Sequence, residues 1–192
     1  MTKQPKYMIG DVVFARGTTF FEWLIRVGTR SQINHVGIVY DVEDDYVVVA
    51  EAMPQGVIFS NYSHEYLNDA CEVRRVVVYV DDDDKVTYYI DETEAEELKR
   101  IIEKYIGLPY DWSAIRRITL NILTIGLYQT MKDTPDEVIC SELVARIYSE
   151  FGYKLKPNKK YDKVTPEDLR RVIEYVVKAY KVEKKRFLFF GN

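Results

Sequence analysis

The sequence predicts an α+β domain in which a mainly antiparallel sheet packs against helices. Segments rich in Val, Ile and Tyr, separated by short polar connections, occupy the first 80 residues and are typical of strands joined by hairpins. From residue 91 onward, apolar residues recur at the spacing of amphipathic helices. No linker rich in Pro, Gly or Ser divides the 192 residues, so we expect a single domain over residues 1–192.

Strands dominate the predicted N-terminal half. The first strand opens at Asp11 after a glycine, and a helix follows because Phe20, Trp23, Leu24 and Val27 have helical spacing. The remaining strands are predicted at residues 33–42, 45–53, 56–60 and 73–80. The first two of these are joined by three acidic residues, 43–45, which predict a short hairpin connection.

Helices dominate the second half. Asp91 and Glu94 form a capping-box pattern ahead of a helix that runs to residue 106. A second helix is predicted from Cys140 to Phe151, because its apolar residues form one stripe and Gly152 follows it. A third begins near Pro166, and residues 186–190 are a further strand candidate. The apolar residues between 113 and 133 are predicted to form a core helix or the wall of an apolar substrate site.

The hairpin between the second and third strands brings His35 and Glu51 together. If residues 43–45 form the loop, Gly37 lies opposite Glu51 and His35 lies one diagonal step away. Side chains alternate along strands, so the imidazole and the carboxylate share one face of the sheet. A shift of one residue in register would separate them. The pair is either a structural contact or part of an active site. His64, in a polar stretch, is expected to be exposed.

Cys140 is compatible with three roles. As an apolar residue heading a helical stripe it could belong to the core, since cysteine is among the most buried residue types. Near a helix N-terminus its thiolate would be stabilised by the helix dipole, as in a nucleophile. A zinc site built from His35, Glu51 and Cys140 is the third possibility, although no closely spaced ligand pair supports it. Residues 134–137 form a competing capping box, and we expect the helix to start close to Cys140 instead.

Six short segments appear in the order typical of one enzyme family: Gly10-Asp11, Asn34-His35-Val36-Gly37, Glu51-Ala52, Pro109-Tyr110-Asp111-Trp112, Cys140-Ser141-Glu142-Leu143 and Thr165-Pro166. As an ordered set they resemble the circularly permuted papain-like amidases and cysteine peptidases, in particular the YiiX-like branch of the NlpC-type superfamily. In these relatives the histidine precedes the cysteine, as it does here. The resemblance implies a permuted papain-like (NlpC-type) fold.

The resemblance also implies a function. Cys140 would be the nucleophile, His35 its base and Glu51 the residue that orients the histidine. Tyr110 and Ser141 are candidates for oxyanion or substrate contacts, and no metal or organic cofactor is required. The substrate would be a peptide-like or acyl-amide compound cleaved through an acyl-enzyme. Acyl transfer on lipids, or binding by an inactive scaffold, are the alternatives.

Composition excludes some classes of function. With a net charge of −4 and a pI near 5.4, the chain lacks the basic surface of a nucleic-acid-binding protein. Two cysteines, Cys71 and Cys140, do not make a disulfide framework, and Cys71 is expected to be structural. We see neither a signal peptide nor an apolar stretch long enough to span a membrane, so a cytoplasmic location is expected. The oligomeric state is left open.

Overall fold

The structure, a computed structural model, describes residues 6–16, 33–76, 90, 92–116, 136–156 and 158–175. The α+β class and the antiparallel sheet are confirmed. The strands are β1 (Val12–Ala15), β2 (His35–Val42), β3 (Tyr46–Met53), β4 (Gly56–Ser63) and β5 (Cys71–Arg74). The helices are α1 (His64–Ala70), α2 (Glu92–Glu103), α3 (Cys140–Glu150) and α4 (Pro166–Tyr175), with a 3₁₀ turn at Tyr161–Lys163 and helical residues at 112–116.

The five described strands form one sheet in the order β4-β3-β2-β1-β5, and every pairing is antiparallel. Apolar side chains alternate between its two faces, as the pleat requires. One face, with Phe14, Val36 and Ile38, packs on α2 and α3 to form the main core. The other face carries Val39 and Val49 with the small helix α1 against it. Both faces are therefore covered near β2, the strand that begins with His35.

The predicted register between β2 and β3 is confirmed at the end of the hairpin that carries His35 and Glu51. Gly37 lies opposite Glu51, as the short hairpin loop implies. Nearer the loop the pairing shifts by one residue between Val39 and Asp41, so Val42 faces Val47 instead of Tyr46. This bulge at Tyr40 inserts one residue into β2. Because the bulge lies on the loop side of Gly37, it leaves the pairing of Gly37 with Glu51 intact.

The helix that carries the nucleophile candidate begins at Cys140, as expected. Ile139 immediately before it has extended backbone angles, φ −99° and ψ 166°. Val138 forms an isolated parallel bridge with Tyr110, which holds the approach to the helix in an extended conformation. The competing capping box therefore does not start a continuous helix through Cys140; its first two residues lie outside the described part of the chain. Gly152 ends α3 with a φ of 97°, a value that favours glycine.

The Gly10-Asp11 turn is structural, as the sequence predicts. Gly10 has a φ of 86°, and its carbonyl accepts a hydrogen bond from the Tyr148 hydroxyl on α3. The buried Asp11 carboxylate accepts from Met8 N–H at 2.9 Å and pairs with Arg75 at 2.8 Å. The Tyr148 hydrogen bond ties the start of β1 to α3, and the Asp11 contacts hold the turn to the segment after β5.

Several predicted elements lie outside the described residues: the helix at 19–27, most of the apolar segment 113–133, the end of the strand at 73–80 and the strand at 186–190. Within the described residues, no helix has the length and apolar character needed to cross a bilayer.

Candidate active site

His35 and Glu51 form the centre of the site. His35 is the first residue of β2, and its Nε2 hydrogen-bonds to Oε2 of Glu51, which lies diagonally across the hairpin on β3. The histidine side chain is 12% exposed and the carboxylate 1%. The imidazole is thus held at the end of the sheet, where β1 ends and β2 begins, by an acid that is fully inside the protein.

Glu51 accepts more than one hydrogen bond. The Tyr62 hydroxyl on β4 lies 2.9 Å from Oε1 and 2.8 Å from Oε2. Burial alone would raise the pKa of Glu51, but hydrogen bonds and charge from His35, with further hydrogen bonds from Ser60 and Tyr62, lower it. Burial and the neighbouring charge of Glu51 raise the pKa of Tyr62, so its hydroxyl keeps the proton that it donates. Glu51 is therefore a buried, ionised carboxylate whose solvation is replaced by protein donors.

Cys140 lies at the boundary of the main core, with its thiol directed at the histidine end of β2. Its Sγ is 3.9 Å from the carbonyl oxygen of Asn34, the residue before His35, and the interaction of its side chain with the imidazole acts to raise the pKa of His35. The residue is 4% exposed and packs within the main core cluster. Cys140 is therefore both a buried residue of the main core and a neighbour of the segment that carries His35.

Competing effects set the protonation state of His35. Burial acts to lower the pKa of His35, because it penalises the charged imidazolium. Hydrogen bonds and negative charge from Cys140 and from Glu51 outweigh burial and raise the pKa of His35 to about 10. The imidazole is stabilised in its protonated form between a sulfur on one side and a carboxylate on the other.

The N-terminus of α3 supplies the remaining electrostatics. The first N–H groups of a helix have no partner inside the helix and carry partial positive charge. Cys140 occupies the first position of α3, so its own backbone N–H belongs to this set. Glu142, also in the first turn, is 2% exposed and is neutralised by Arg146 at 2.6 Å. A negative charge that develops near the Cys140 sulfur would be stabilised by the helix N–H groups and would not be opposed by Glu142, whose charge is paired with Arg146.

The structure places the two secondary candidates differently. Tyr110 bridges to Val138, two residues before Cys140, and packs against the small apolar cluster of Ala114, Ile115 and Ile139. The Ser141 side chain is fully buried, and its hydroxyl donates to the carbonyl of Val164 at 2.6 Å. Because that hydroxyl is turned into the protein, a substrate contact through the Ser141 side chain does not fit; only its backbone N–H could serve an oxyanion.

Tyr62 and Ser60 are site residues that the sequence reasoning missed. Glu51 pairs with Ile58 across β3 and β4, whose connection is the two-residue turn at 54–55. Residues at 58, 60 and 62 share one face by alternation, so both hydroxyls fall on the Glu51 side of the sheet. The sequence contains the information needed to find them, because the two-residue turn at 54–55 sets the register of β3 and β4 just as the acidic loop sets the register of β2 and β3.

The other cysteine and histidine lie outside the pair. Cys71 starts β5 opposite Ala15, whose other neighbour is His35. Burial raises the pKa of the Cys71 thiol to about 11, with the charge of Glu51 adding to the effect and a hydrogen bond to Tyr66 opposing it. His64 begins α1, a helix that the sequence analysis did not predict, and is half-buried rather than exposed.

The zinc alternative does not fit this arrangement. Among the described residues, no group of three or more His, Cys, Asp and Glu side chains is placed to hold a metal ion. His35 Nε2 is bonded directly to Glu51, whose oxygens also accept from Tyr62.

Comparison with known proteins identifies the fold. No family model matches the chain, and a search of curated proteins finds no significant relative. Among solved structures, the chain is similar to the crystal structure of the metalloprotein yiiX from Escherichia coli O157:H7. The TM-score is 0.53, the sequence identity is 18%, and the match covers 88% of this chain and 81% of that one. At this identity the likeness establishes a YiiX-like fold and nothing about activity.

Proposed function

We propose that this chain, with its YiiX-like fold, is a thiol hydrolase that cleaves an amide bond of a peptide-like substrate. Cys140 is the nucleophile, His35 the general base and acid, and Glu51 the residue that holds the imidazole. One observation supports this proposal above all others: the Cys140 thiol lies against the Asn34 carbonyl, directly before His35, and the buried carboxylate of Glu51 holds the imidazole of that histidine. A base between a nucleophile and an orienting acid is the arrangement common to hydrolytic triads.

The proposed chemistry needs only these side chains and water. Since Nε2 of His35 bonds to Glu51, Nδ1 is the nitrogen left to take the proton of the thiol. The thiolate adds to the amide carbonyl carbon, and the tetrahedral intermediate collapses as the imidazolium gives its proton to the leaving nitrogen. Water, deprotonated by the imidazole, then attacks the thioester. The acid product leaves, and the thiol of Cys140 is restored.

The oxyanion is assigned to the start of α3. The Cys140 N–H lies at the first helical position, so it has no partner within the helix and is directed toward the nucleophile end. Such preorganised donors stabilise the charge that develops on the carbonyl oxygen. The chain order, with His35 before Cys140, supports a permuted papain-like relationship, which we propose together with the activity.

A substrate-contacting surface is suggested by two aromatic residues near the nucleophile. Trp112 is 42% exposed and contacts Tyr110 edge-on, with ring centroids 5.4 Å apart. Tyr110 in turn packs against the apolar cluster that includes Ile139, the residue before Cys140. Asp111 fixes this segment by accepting from Ala114 N–H at 2.7 Å. Exposed aromatic side chains on a fixed segment are suited to binding apolar groups of a substrate.

Metal binding is the second function to consider, because the yiiX structure is called a metalloprotein. Among the described residues, His35 and Glu51 bond to each other and are not joined by a third His, Cys, Asp or Glu side chain in a group that could hold a metal ion. The mechanism proposed for the triad uses no metal.

An activated ester tests the proposal without knowledge of the natural substrate. We expect p-nitrophenyl acetate to release p-nitrophenol in a burst and to leave an acetyl group on Cys140, detected by peptide mass spectrometry. The burst should be unaffected by a chelator. The Cys71→Ser variant, matched in chemistry, should retain it, whereas Cys140→Ser should lose it. Acetylation of both cysteines to the same extent would argue against a specialised nucleophile.

A further inference from the structure

A cavity of about 390 Å³ lies beside α3, outside the proposed triad. Its floor is apolar, formed by Ala145 on α3 together with Leu155 and Val164. Val164 is joined to the helix because its carbonyl accepts the Ser141 hydroxyl at 2.6 Å. The volume falls within the range of small-molecule sites, roughly 300–1,000 Å³. The cavity is thus large enough for an organic ligand rather than a lone ion.

The charged residues that line the cavity all have the same sign. Among the described residues, its only ionisable acid–base groups apart from Tyr161 are four lysines: Lys154, Lys156, Lys159 and Lys160. The protein as a whole carries a net charge of −4, so this concentration of ammonium groups opposes its overall charge.

One carboxylate partly compensates the lysines and fixes their position. Asp168, in the first turn of α4, binds Lys159 directly and lies 3.8 Å from Lys156. The same carboxylate accepts the Thr165 N–H at 3.0 Å and the Thr165 hydroxyl at 2.8 Å, so it is anchored to the helix start. Four ammonium groups against one carboxylate leave an excess of three positive charges, with Lys154 and Lys160 exposed at the rim.

The types of lining residue indicate the ligand. Lysine ammonium groups act as point charges suited to phosphate, whereas arginine is the side chain that recognises planar carboxylates in bidentate fashion. No arginine lines the cavity within the described residues. Asn158 adds an amide, and Tyr161 adds a hydroxyl that is shared with Ser149 at 2.6 Å. A phosphate at the rim and an apolar body on the floor would match both parts of the cavity.

We propose that this lysine cavity binds a small phosphate monoester with an apolar body. The site is distinct from the triad and makes no use of the proposed hydrolase chemistry. Because α3 carries both the cavity wall and Cys140, a ligand here contacts the same helix as the nucleophile. Binding at this cavity does not depend on the activity of Cys140.

Phenyl phosphate is a suitable probe, with inorganic phosphate and benzoate as comparisons. Titration followed by amide NMR should move the signals of residues 154–164 in a saturable way. Replacing Lys154 and Lys160 by glutamine should weaken binding at least about tenfold, because hydrogen bonds to charged groups are lost. These two lysines are chosen because neither holds Asp168. The control Lys6→Gln/Lys104→Gln has the same charge change away from the cavity and should bind as the parent does.

The comparisons separate the proposal from nonspecific charge effects. Benzoate and inorganic phosphate should each bind more weakly than phenyl phosphate, since one lacks the phosphate and the other the apolar body. Equal weakening in the two double variants would show that only overall charge matters and would overturn the proposal. Benzoate binding as well as phenyl phosphate, or no saturable shift at residues 154–164, would overturn it too. Loss of the nucleophile by Cys140→Ser should leave phenyl phosphate binding unchanged.

Discussion

Replacing Glu51 by glutamine isolates the contribution of one negative charge to the site. The amide keeps the shape of the side chain, and its oxygen can still accept a hydrogen bond from His35 Nε2. Its nitrogen can donate to the Tyr62 hydroxyl, so the hydrogen bonds around residue 51 can be retained. What disappears is the charge that stabilises the imidazolium. We therefore expect a folded protein with a less activated Cys140.

The size of the effect follows from the change in hydrogen-bond type. A hydrogen bond to a charged partner contributes about 1.5–3 kcal/mol, compared with about 0.5–1.5 kcal/mol for a neutral one. The difference of roughly 1–1.5 kcal/mol corresponds to about a tenfold change in rate. Glu51 is 1% exposed, so solvent provides little screening of this charge. Its hydrogen bond and charge both raise the pKa of His35, and the Glu51→Gln change should lower that pKa.

The assay is alkylation by iodoacetamide, followed for each cysteine by peptide mass spectrometry. Near pH 6.5, where ordinary thiols are mostly protonated, we expect Cys140 to react about tenfold more slowly in Glu51→Gln than in the parent. Near pH 9.5 the difference should narrow, because thiols ionise there without help. Cys71 serves as the internal reference, since burial and nearby charge raise the pKa of its thiol to about 11.

Equal Cys140 alkylation rates in parent and Glu51→Gln across this pH range would refute the reasoning. The glutamate would then be a structural partner of the histidine with no influence on the sulfur. Urea unfolding of both proteins checks that any slower or faster reaction is not caused by loss of the fold.

Three further changes test the surroundings of the site. Tyr62→Phe removes a hydroxyl that contacts both oxygens of Glu51. We expect the alkylation of Cys140 near pH 6.5 to slow a few-fold, and a carboxyl NMR titration should show a higher pKa for Glu51. Gly37→Ala would place a Cβ 2.5 Å from a Val49 methyl carbon, and urea unfolding should show a loss of about 1–3 kcal/mol. The His35–Glu51 pair should stabilise the fold between an acid and an alkaline limit. The raised pKa of His35 contributes stability that is complete below about pH 6.5 and is lost as the pH rises through about 10. The lowered pKa of Glu51 contributes stability that is lost as the pH falls below the ordinary pKa of a glutamate. Thermal unfolding against pH should show both limits, and the alkaline loss should be absent in His35→Gln.

Local features made half of the site predictable. The acidic loop at 43–45 sets the register of β2 and β3, and alternation then puts His35 and Glu51 on the same face. The bulge at Tyr40 was not predicted, because nothing in the strand pattern distinguishes an inserted residue from a regular one. The predicted pairing of Gly37 with Glu51 is still correct, because the bulge lies between Gly37 and the loop.

The other half depends on contacts that local patterns do not encode. Cys140 and His35 are far apart in the sequence, and their meeting results from the packing of α3 on β2 through the main core. The helical stripe predicted that packing but not its direction along the strand, so only the family resemblance suggested a contact. Ser141 shows the same limit: its buried bond to Val164 requires the position of the loop before α4. Tyr62, in contrast, could have been found from the turn at 54–55.

The most direct test of the central claim is the reactivity of Cys140 with and without its histidine. Alkylation near pH 6.5 should be fast at Cys140 in the parent protein, slow at Cys71, and strongly reduced at Cys140 in His35→Ala. If His35→Ala leaves the rate at Cys140 unchanged, or if the two cysteines of the parent react alike, then the sulfur and the imidazole are neighbours without a shared chemistry.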